Sequence, residues 1–454
     1  MLRARLIFGI AVLLSLATAG TGDLSGATPK EIDAAIQKGT AYLKQSGGTA
    51  GKHAKDANHV GSVALAGLAL LEAGTPTDDP AIKKITDAIR DAAYTEIRTY
   101  QIALCIFYLD RYGDPADRPL IQMLGVRLLA GQNVSGGWTY ECIAPVSQAT
   151  ERTLRAKLGD ATLTAGGKQP PAPKAGTPPA TGTDKLPVAG KLHADVERYR
   201  QGLLAGDTKK THLDDNSNTQ FGILGIWICR KHGVPVEHAL DLIEKRFLTT
   251  QSETGGWPYI VNADKRDGSP SMTCVGLLGL ATAIGRREEK RLKAELATKP
   301  APKEPGKVNP PEFDPNDPFF NPPKTEPAKK AEPAPNGKQP PADNRDAAVK
   351  RAFENLATTL AHDGGKGKGK GKGNTHDLYF LWSLERVGVI YGIEQIGKTD
   401  WYDYGAAQLI PAQNTDGSWT GRGGYGPDVN TAFAILFLSR SNIARDLSAR
   451  VQRN

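Results

Sequence analysis

Three copies of one turn constrain this chain more than any other feature. Gln132-Asn-Val-Ser-Gly136-Gly-Trp138, Gln251-Ser-Glu-Thr-Gly255-Gly-Trp257 and Gln413-Asn-Thr-Asp-Gly417-Ser-Trp419 share the spacing Q-x-x-x-G-x-W, and a degenerate copy without Trp stands at Gln45-Ser-Gly-Gly. Each follows an amphipathic stretch: 125–130, 240–250 and 405–412. The pattern reads as a helix stop. Glycine permits the left-handed turn that ends a helix. The Trp folds back as a large apolar wedge, and the Gln amide reaches the backbone groups exposed at the helix end. Recurrence of one supersecondary unit signals a repeat architecture.

Two further elements repeat. G-x-P occurs as Gly74-Thr-Pro76, Gly113-Asp-Pro115 and Gly233-Val-Pro235, a helix terminator, and Gly285 and Gly392 end similar patterns without Pro. Six apolar segments open on Ser or Thr: Ser62, Thr99, Thr219, Thr273, Thr375 and Thr431. These segments are apolar nearly all round, so they need burial on every side. Amphipathic stretches lie between them, near 31–44, 80–92, 118–131, 236–249, 345–361 and 403–412. Alternation of this kind predicts an all-α fold in which six parallel inner helices form a ring enclosed by six antiparallel outer helices, an (α/α)6 toroid. An open helical solenoid is the competing arrangement.

Composition supplies the domain map. Fourteen Pro fall between Pro300 and Pro341 and six between Pro170 and Pro187, and such stretches cannot bury a core. Without them and the N-terminus, roughly 310 residues remain, enough for one large domain. Arg3 and Arg5, the apolar run Leu6–Ala17 and Ala17-Thr-Ala19 predict a signal peptide over 1–19. The chain is then exported, periplasmic or extracellular, with no membrane anchor after cleavage. The expected order is toroid over 28–142 (pairs 1, 2 and part of 3), a flexible insertion over 143–210, toroid over 211–287 (pairs 3 and 4), a disordered Pro/Lys/Glu-rich linker over 288–344, and toroid over 345–454 (pairs 5 and 6). The formal charge of +8 owes four units to Lys366, Lys368, Lys370 and Lys372, which alternate with glycine. That run reads as a solvated loop, and nucleic acid is not implied. Cys105, Cys229 and Cys274 sit in apolar helical patterns, where cysteine behaves as a small hydrophobe.

At the Q-x-x-x-G-x-W turns and the helices around them, the chain resembles the squalene cyclase and prenyltransferase toroid superfamily, a family of prenyltransferase and squalene oxidase repeats. The resemblance implies an apolar central cavity and an isoprenoid or other lipid-like ligand. It leaves open whether the chain is an enzyme, which would be a transferase or isomerase. The cyclase acid motif of that family, D-x-D-D-T, meets His212-Leu-Asp214-Asp215-Asn216-Ser217-Asn218-Thr219 here. Aligning on Thr219 puts Ser217 and Asn218 where carboxylates are needed, and an amide cannot protonate an alkene. Asp214 and Asp215, one turn earlier, are the remaining candidate acids. The zinc site of prenyltransferases finds partial counterparts in Cys274 and His376. Met272 replaces the required Asp, so neither metal nor cofactor is predicted.

The repeats themselves point to a site. Asn216-Ser-Asn218-Thr219-Gln-Phe221 parallels Asp428-Val-Asn430-Thr431-Ala-Phe433, and Asn374-Thr-His376-Asp377 adds similar polarity. His59, Tyr100, Gln101, Ser271, Tyr379 and Tyr425 fall at the same end. Inner-helix N-termini converge there and favour anions or oxygen-rich ligands. Asp214, Asp215, His376 and Asp428 are the candidate catalytic residues. His59, Asn216, Asn218, Thr219, Tyr379, Tyr425 and Asn430 are the candidate ligand contacts. Helix capping is the competing role for each. Aromatics at 7% argue against a cavity built to hold carbocations. A polysaccharide-active enzyme of lyase type, using His59, His376, Tyr379, Tyr425 and Asn430, and a non-catalytic envelope scaffold are the alternatives.

Overall fold

A computed structural model describes residues 27–47, 59–142, 147–158, 191–205, 214–261, 268–298, 344–363, 377–421 and 423–453. Residues 1–19, read above as a signal peptide, most of the Pro-rich stretches, the Gly-Lys run and His376 lie outside these residues. The described chain is all-α apart from a small hairpin, Gln395–Ile396 against Thr399–Asp400.

Six helices form the interior: α2 (His59–Glu72), α4 (Thr99–Tyr112), α8 (Asn216–Lys231), α10 (Pro270–Thr298), α12 (Leu378–Tyr391) and α14 (Pro427–Leu438), all largely buried except α10, whose charged part beyond 289 is exposed. Each packs on the next in that order, and α14 packs on α2, so the contacts return to their start. Amphipathic helices lie outside: α1 (Pro29–Ser46), α3 (Pro80–Ala92), α9 (Glu237–Thr250), α11 (Asn344–Asp363) and α13 (Trp401–Leu409); α5 (Arg118–Gly131), expected to be amphipathic, is instead buried nearly all round, because a helix from the 143–210 segment packs on it as well. The Ile32, Ala35, Gly39 and Leu43 stripe of α1 is typical, with one buried side chain per turn against α14 and α2.

The repeated turns do what their composition predicts, and more. Gly136, Gly255 and Gly417 take φ of +83°, +87° and +88°. Trp138, Trp257 and Trp419 are fully buried, and each indole Nε1 donates to the carbonyl ten residues earlier, Leu128, Phe247 and Leu409, at 2.8–3.1 Å. The wedge therefore also caps the helix it follows. Each Gln amide donates twice: to the carbonyl of its own turn glycine, and to a carbonyl of the next outer helix. Gln132 reaches Ala239 (3.1 Å), Gln251 reaches Ala348 (2.8 Å) and Gln413 reaches Ala35 (2.9 Å). The last of these joins the sixth pair to the first.

Thr219, Thr273 and Thr431 do not start their helices, as the sequence suggested. They sit a turn inside. The Thr219 and Thr431 hydroxyls accept the backbone N–H of Trp138 (3.1 Å) and Trp419 (3.0 Å), which the turn leaves without a carbonyl partner. Gly285 does not end a helix either. α10 runs straight through it to Thr298, and a Cβ there would stand 2.8 Å from Trp227 and from Leu447, so close packing explains the glycine.

Three helices were not foreseen. The segment read as a flexible insertion over 143–210 contains α6 (Gln148–Leu158) and α7 (Ala194–Ala205). Leu154 and Val196 are buried, Arg155 lies 5.0 Å over the Tyr94 ring, and Arg127 of α5 donates to the Tyr199 hydroxyl (3.0 Å). The linker begins later than 288, because Glu288 and Glu289 are buried partners of Arg291 and Arg230 in α10 and α8. α15 (Arg445–Val451) packs on α10 and α12 near the C-terminal ends of the inner helices. Its Asp446 binds Arg230 (2.9 Å) and the Trp227 indole (3.0 Å).

Trp257→Ala should cost about 3–5 kcal/mol, the loss expected for a fully buried Trp. Gly417→Ala should cost about 1–3 kcal/mol, because its φ suits only glycine and a Cβ would meet the Lys38 carbonyl at 2.5 Å. Urea unfolding with an unchanged slope checks both. A Trp257→Ala midpoint equal to the parent's would remove the wedge and cap roles.

Candidate functional site

Around their first turns, all six inner helices stop short of filling the space between them. The result is a cavity of about 950 Å³. Each inner helix turns at least one apolar side chain into it: Leu65, Leu104, Phe221, Met272, Phe380 and Phe433. All six are buried, and they form its deep part. Behind them an aromatic stack continues through the core, with Phe107 and Trp382 against Phe221 (6.3 and 5.8 Å between centroids) and Trp382 against Phe433 (4.9 Å). Few aromatics overall thus still allow one connected aromatic group beside the cavity.

A one-way chain of hydroxyls crosses the cavity wall. Tyr100 donates to Ser217 (2.8 Å), Ser217 bonds Tyr379 (2.8 Å), and Tyr379 donates to the Gln220 side-chain oxygen (2.6 Å). Gln220 then donates to Ser383 (3.1 Å), which also accepts from Arg386 (3.3 Å). Burial holds the Tyr100 and Tyr379 phenols well above their ordinary pKa, so both stay neutral. They can hydrogen-bond a ligand but do not act as tyrosinate bases at neutral pH.

The mouth is built by the repeated turns. Two residues after the wedge, Trp138-Thr-Tyr140 and Trp257-Pro-Tyr259 place a tyrosine at the opening, and the two hydroxyls meet at 3.0 Å. Tyr425 supplies a third, against Tyr379 and Phe433 (6.4 and 5.8 Å). Tyr140 is 58% exposed, and Tyr259 and Tyr425 are each 42% exposed. Extending the repeat to G-G-W-x-Y finds the first two in the sequence. Charged lining groups also stand here. Arg98 is held by both oxygens of Glu96 (2.8 and 2.6 Å), Glu141 is close by, and Asp377 accepts the Phe380 N–H (2.9 Å).

Most of the sequence-predicted polar residues lie elsewhere. Asp214 pairs with Arg246 of α9 (2.7 Å) and accepts from Asn133 and Ser135 of the first Trp turn. Asp215 is the N-cap of α8, accepting the Asn218 N–H (2.7 Å) and its amide (2.8 Å), and burial raises its pKa. Asn216 joins Arg246 to the Pro258 carbonyl, and Thr219 holds Trp138. Asp428 bonds Tyr42 of α1, and the Asn430 amide donates to the Tyr425 carbonyl (3.0 Å). None of these residues, Asn218 included, lines the cavity. Of the named candidates the cavity brings together Tyr379 and Tyr425, with Tyr100, Gln101 and Ser271. His59 is the first residue of α2, and its side chain, like His376, lies outside what is described. Cys274 is buried, and its thiol is pushed up to about 12 by burial, which favours the protonated form over a metal-binding thiolate. Among the described residues no three His, Cys, Asp or Glu side chains gather as a metal site.

No protein-family model matches the chain, and no curated protein sequence matches it.

All four cysteines are buried free thiols, and burial raises the pKa of each. An unfolded thiol ionises near pH ~8.5, so these groups make the folded state less stable as pH rises from there towards 12 and contribute no pH dependence below it. A thiol reagent at pH 8 should count none of them in the native protein and all of them in denaturant. Rapid native labelling of Cys274 would reject its place in the core.

Proposed function

We propose that the chain is an exported (α/α)6 toroid of the squalene cyclase and prenyltransferase kind, and that its central cavity binds an isoprenoid or similar apolar ligand. The observation that carries this reading is the cavity itself, into which each of the six inner helices turns at least one buried apolar side chain. A cavity of about 950 Å³ lies within the range of small-ligand pockets, which are mostly apolar with a few polar groups for orientation. The return of the helix contacts from α14 to α2, and of the glutamine clasps from Gln413 to α1, supports a closed ring over an open solenoid.

The reading is of binding, with no cyclase chemistry. Glu141 and Asp377 are the carboxylates lining the cavity among the described residues, and both are exposed at its mouth, away from the apolar end where an alkene would lie. Asn218 is buried against Asp215, outside the cavity. Polysaccharide-active chemistry is favoured by one observation, the exposed mouth tyrosines. Against it, Asn430 is turned to the Tyr425 carbonyl and the Tyr379 phenol is held neutral.

Mass spectrometry of an organic extract of the purified mature protein should return a stoichiometric apolar compound. Incubation with squalene should give no cyclised product, and Asn218→Asp should not create the activity. An extract free of apolar compounds, with no uptake of added polyprenol, would reject the reading. Squalene cyclisation lost in Asp215→Asn would show an acid at Asp215 instead.

A further inference from the structure

The mouth of the cavity differs chemically from its depth, and that difference specifies the polar end of a ligand. We infer that the cavity takes an amphiphile whose head group is uncharged and rich in hydroxyls, a sugar-like head on an apolar tail. This rests on the apolar-ligand reading and adds the head-group class to it.

Charge decides first. Phosphate recognition relies on an available guanidinium or ammonium fork. Arg98, a cation of the lining, already has a two-bond pair with Glu96, which also accepts the backbone N–H groups of Ile97 and Arg98. Glu141 and Asp377 then put negative charge at the opening, against an anionic head. A cationic head meets the opposite difficulty. The N-termini of the inner helices converge here, and each carries partial positive charge. Asp215 and Asp377 cap two of them, but no side chain caps α4 or α14. A neutral group with many oxygens suits both conditions: its lone pairs favour the helix ends, and its hydroxyls can donate to the mouth carboxylates.

Shape and chemistry agree with charge. Tyr140, Tyr259 and Tyr425 are exposed at the opening. An aromatic face carries a negative π-cloud, and the C–H face of a sugar ring is weakly positive and apolar, so the two stack. The phenol ends and the Ser217 and Ser271 hydroxyls of the lining both donate and accept. The tyrosine–serine chain stays neutral because burial raises the phenols, so it offers an ionic head hydrogen bonds but no opposite charge.

Calorimetric titration of the purified, delipidated full chain tests this with four probes that share one tail, each below its micelle concentration: octanol, octyl glucoside, octyl phosphate and octyltrimethylammonium. Octyl glucoside should bind about tenfold tighter than octanol, the gain of one or two stacked, hydrogen-bonded contacts. Octyl phosphate and octyltrimethylammonium should bind no tighter than octanol. In the double variant Tyr140→Ala, Tyr259→Ala the glucoside and octanol affinities should converge. Octanol bound as tightly as the glucoside would overturn the head-group inference and leave the apolar-ligand reading intact, as would preference for either ionic probe. Binding of none of the four would overturn both.

Discussion

The glutamine at the end of an outer helix closes two structures with one amide. Its Nε2 satisfies the carbonyl of the turn glycine and a carbonyl of the next outer helix, so the stop signal of one repeat is also its bond to the following repeat. The glycine is needed for the same reason. A Cβ on Gly136, Gly255 or Gly417 would stand 2.3–2.5 Å from a backbone carbonyl of that neighbouring helix. Local turn chemistry and inter-repeat packing are therefore one constraint. The α3–α4 junction lacks the glutamine and meets the same need from the other side. Arg127 of the next outer helix, α5, donates to the carbonyls of Ala93, Tyr94 and Glu96. A helix end buried in a repeat interface needs donors for its last carbonyls, and either neighbour can supply them.

Anchoring the turns fixes the cavity. Trp138 and Trp257 pack on inner helices that offer glycine, Gly222 and Gly276, and Trp419 meets Gly39 of α1. The tyrosines two residues further on are thereby placed at the opening. At the other end α15 packs on α10 and α12 and bonds α8, and arginines sit where helix C-termini favour positive charge. Arg111 pairs with Glu72, and Arg230 with Glu289 and Asp446. One end is thus filled by ion pairs and the other lined by aromatic and hydroxyl groups, so the molecule is polarised along its inner helices.

What could be read from the sequence follows from where the physics is local. Helices apolar all round, and the Q-x-x-x-G-x-W stops, announce themselves within a few residues, and the six inner and six outer segments fall where their periodicity puts them. The misses involve long-range partners. Gly285 looks like a terminator, but its role is contact with Trp227 and Leu447. Arg127 and Arg246, to which the sequence alone assigns no role, are fully buried, because the carbonyls and carboxylate they serve come from other repeats. α6 and α7 have too little apolar periodicity to stand alone, and are held by single buried side chains and by arginine contacts. The mouth tyrosines were legible in part, as an unextended repeat.

The parallel between Asn218-Thr219 and Asn430-Thr431 shows why polar residues at helix starts are poor guides to a site. An inner-helix N-terminus in a repeat protein has unpaired N–H groups on one side and an incoming turn on the other. Both Thr hydroxyls go to a Trp N–H, and both Asn amides go to local acceptors. Asp215 uses its carboxylate on two groups of Asn218. Side chains that face the cavity are those one position out of that register, Ser217 beside Asn218 and Tyr379 beside the first residue of α12. They are hydroxyls rather than carboxylates, since an uncapped carboxylate there would bear the full cost of burial. Phenol and alcohol groups lose less on leaving water, and they bond each other across helices as Tyr100, Ser217 and Tyr379 do. The hydroxyl-rich part of the cavity wall is therefore what remains once the helix starts have used acids and amides to end the turns.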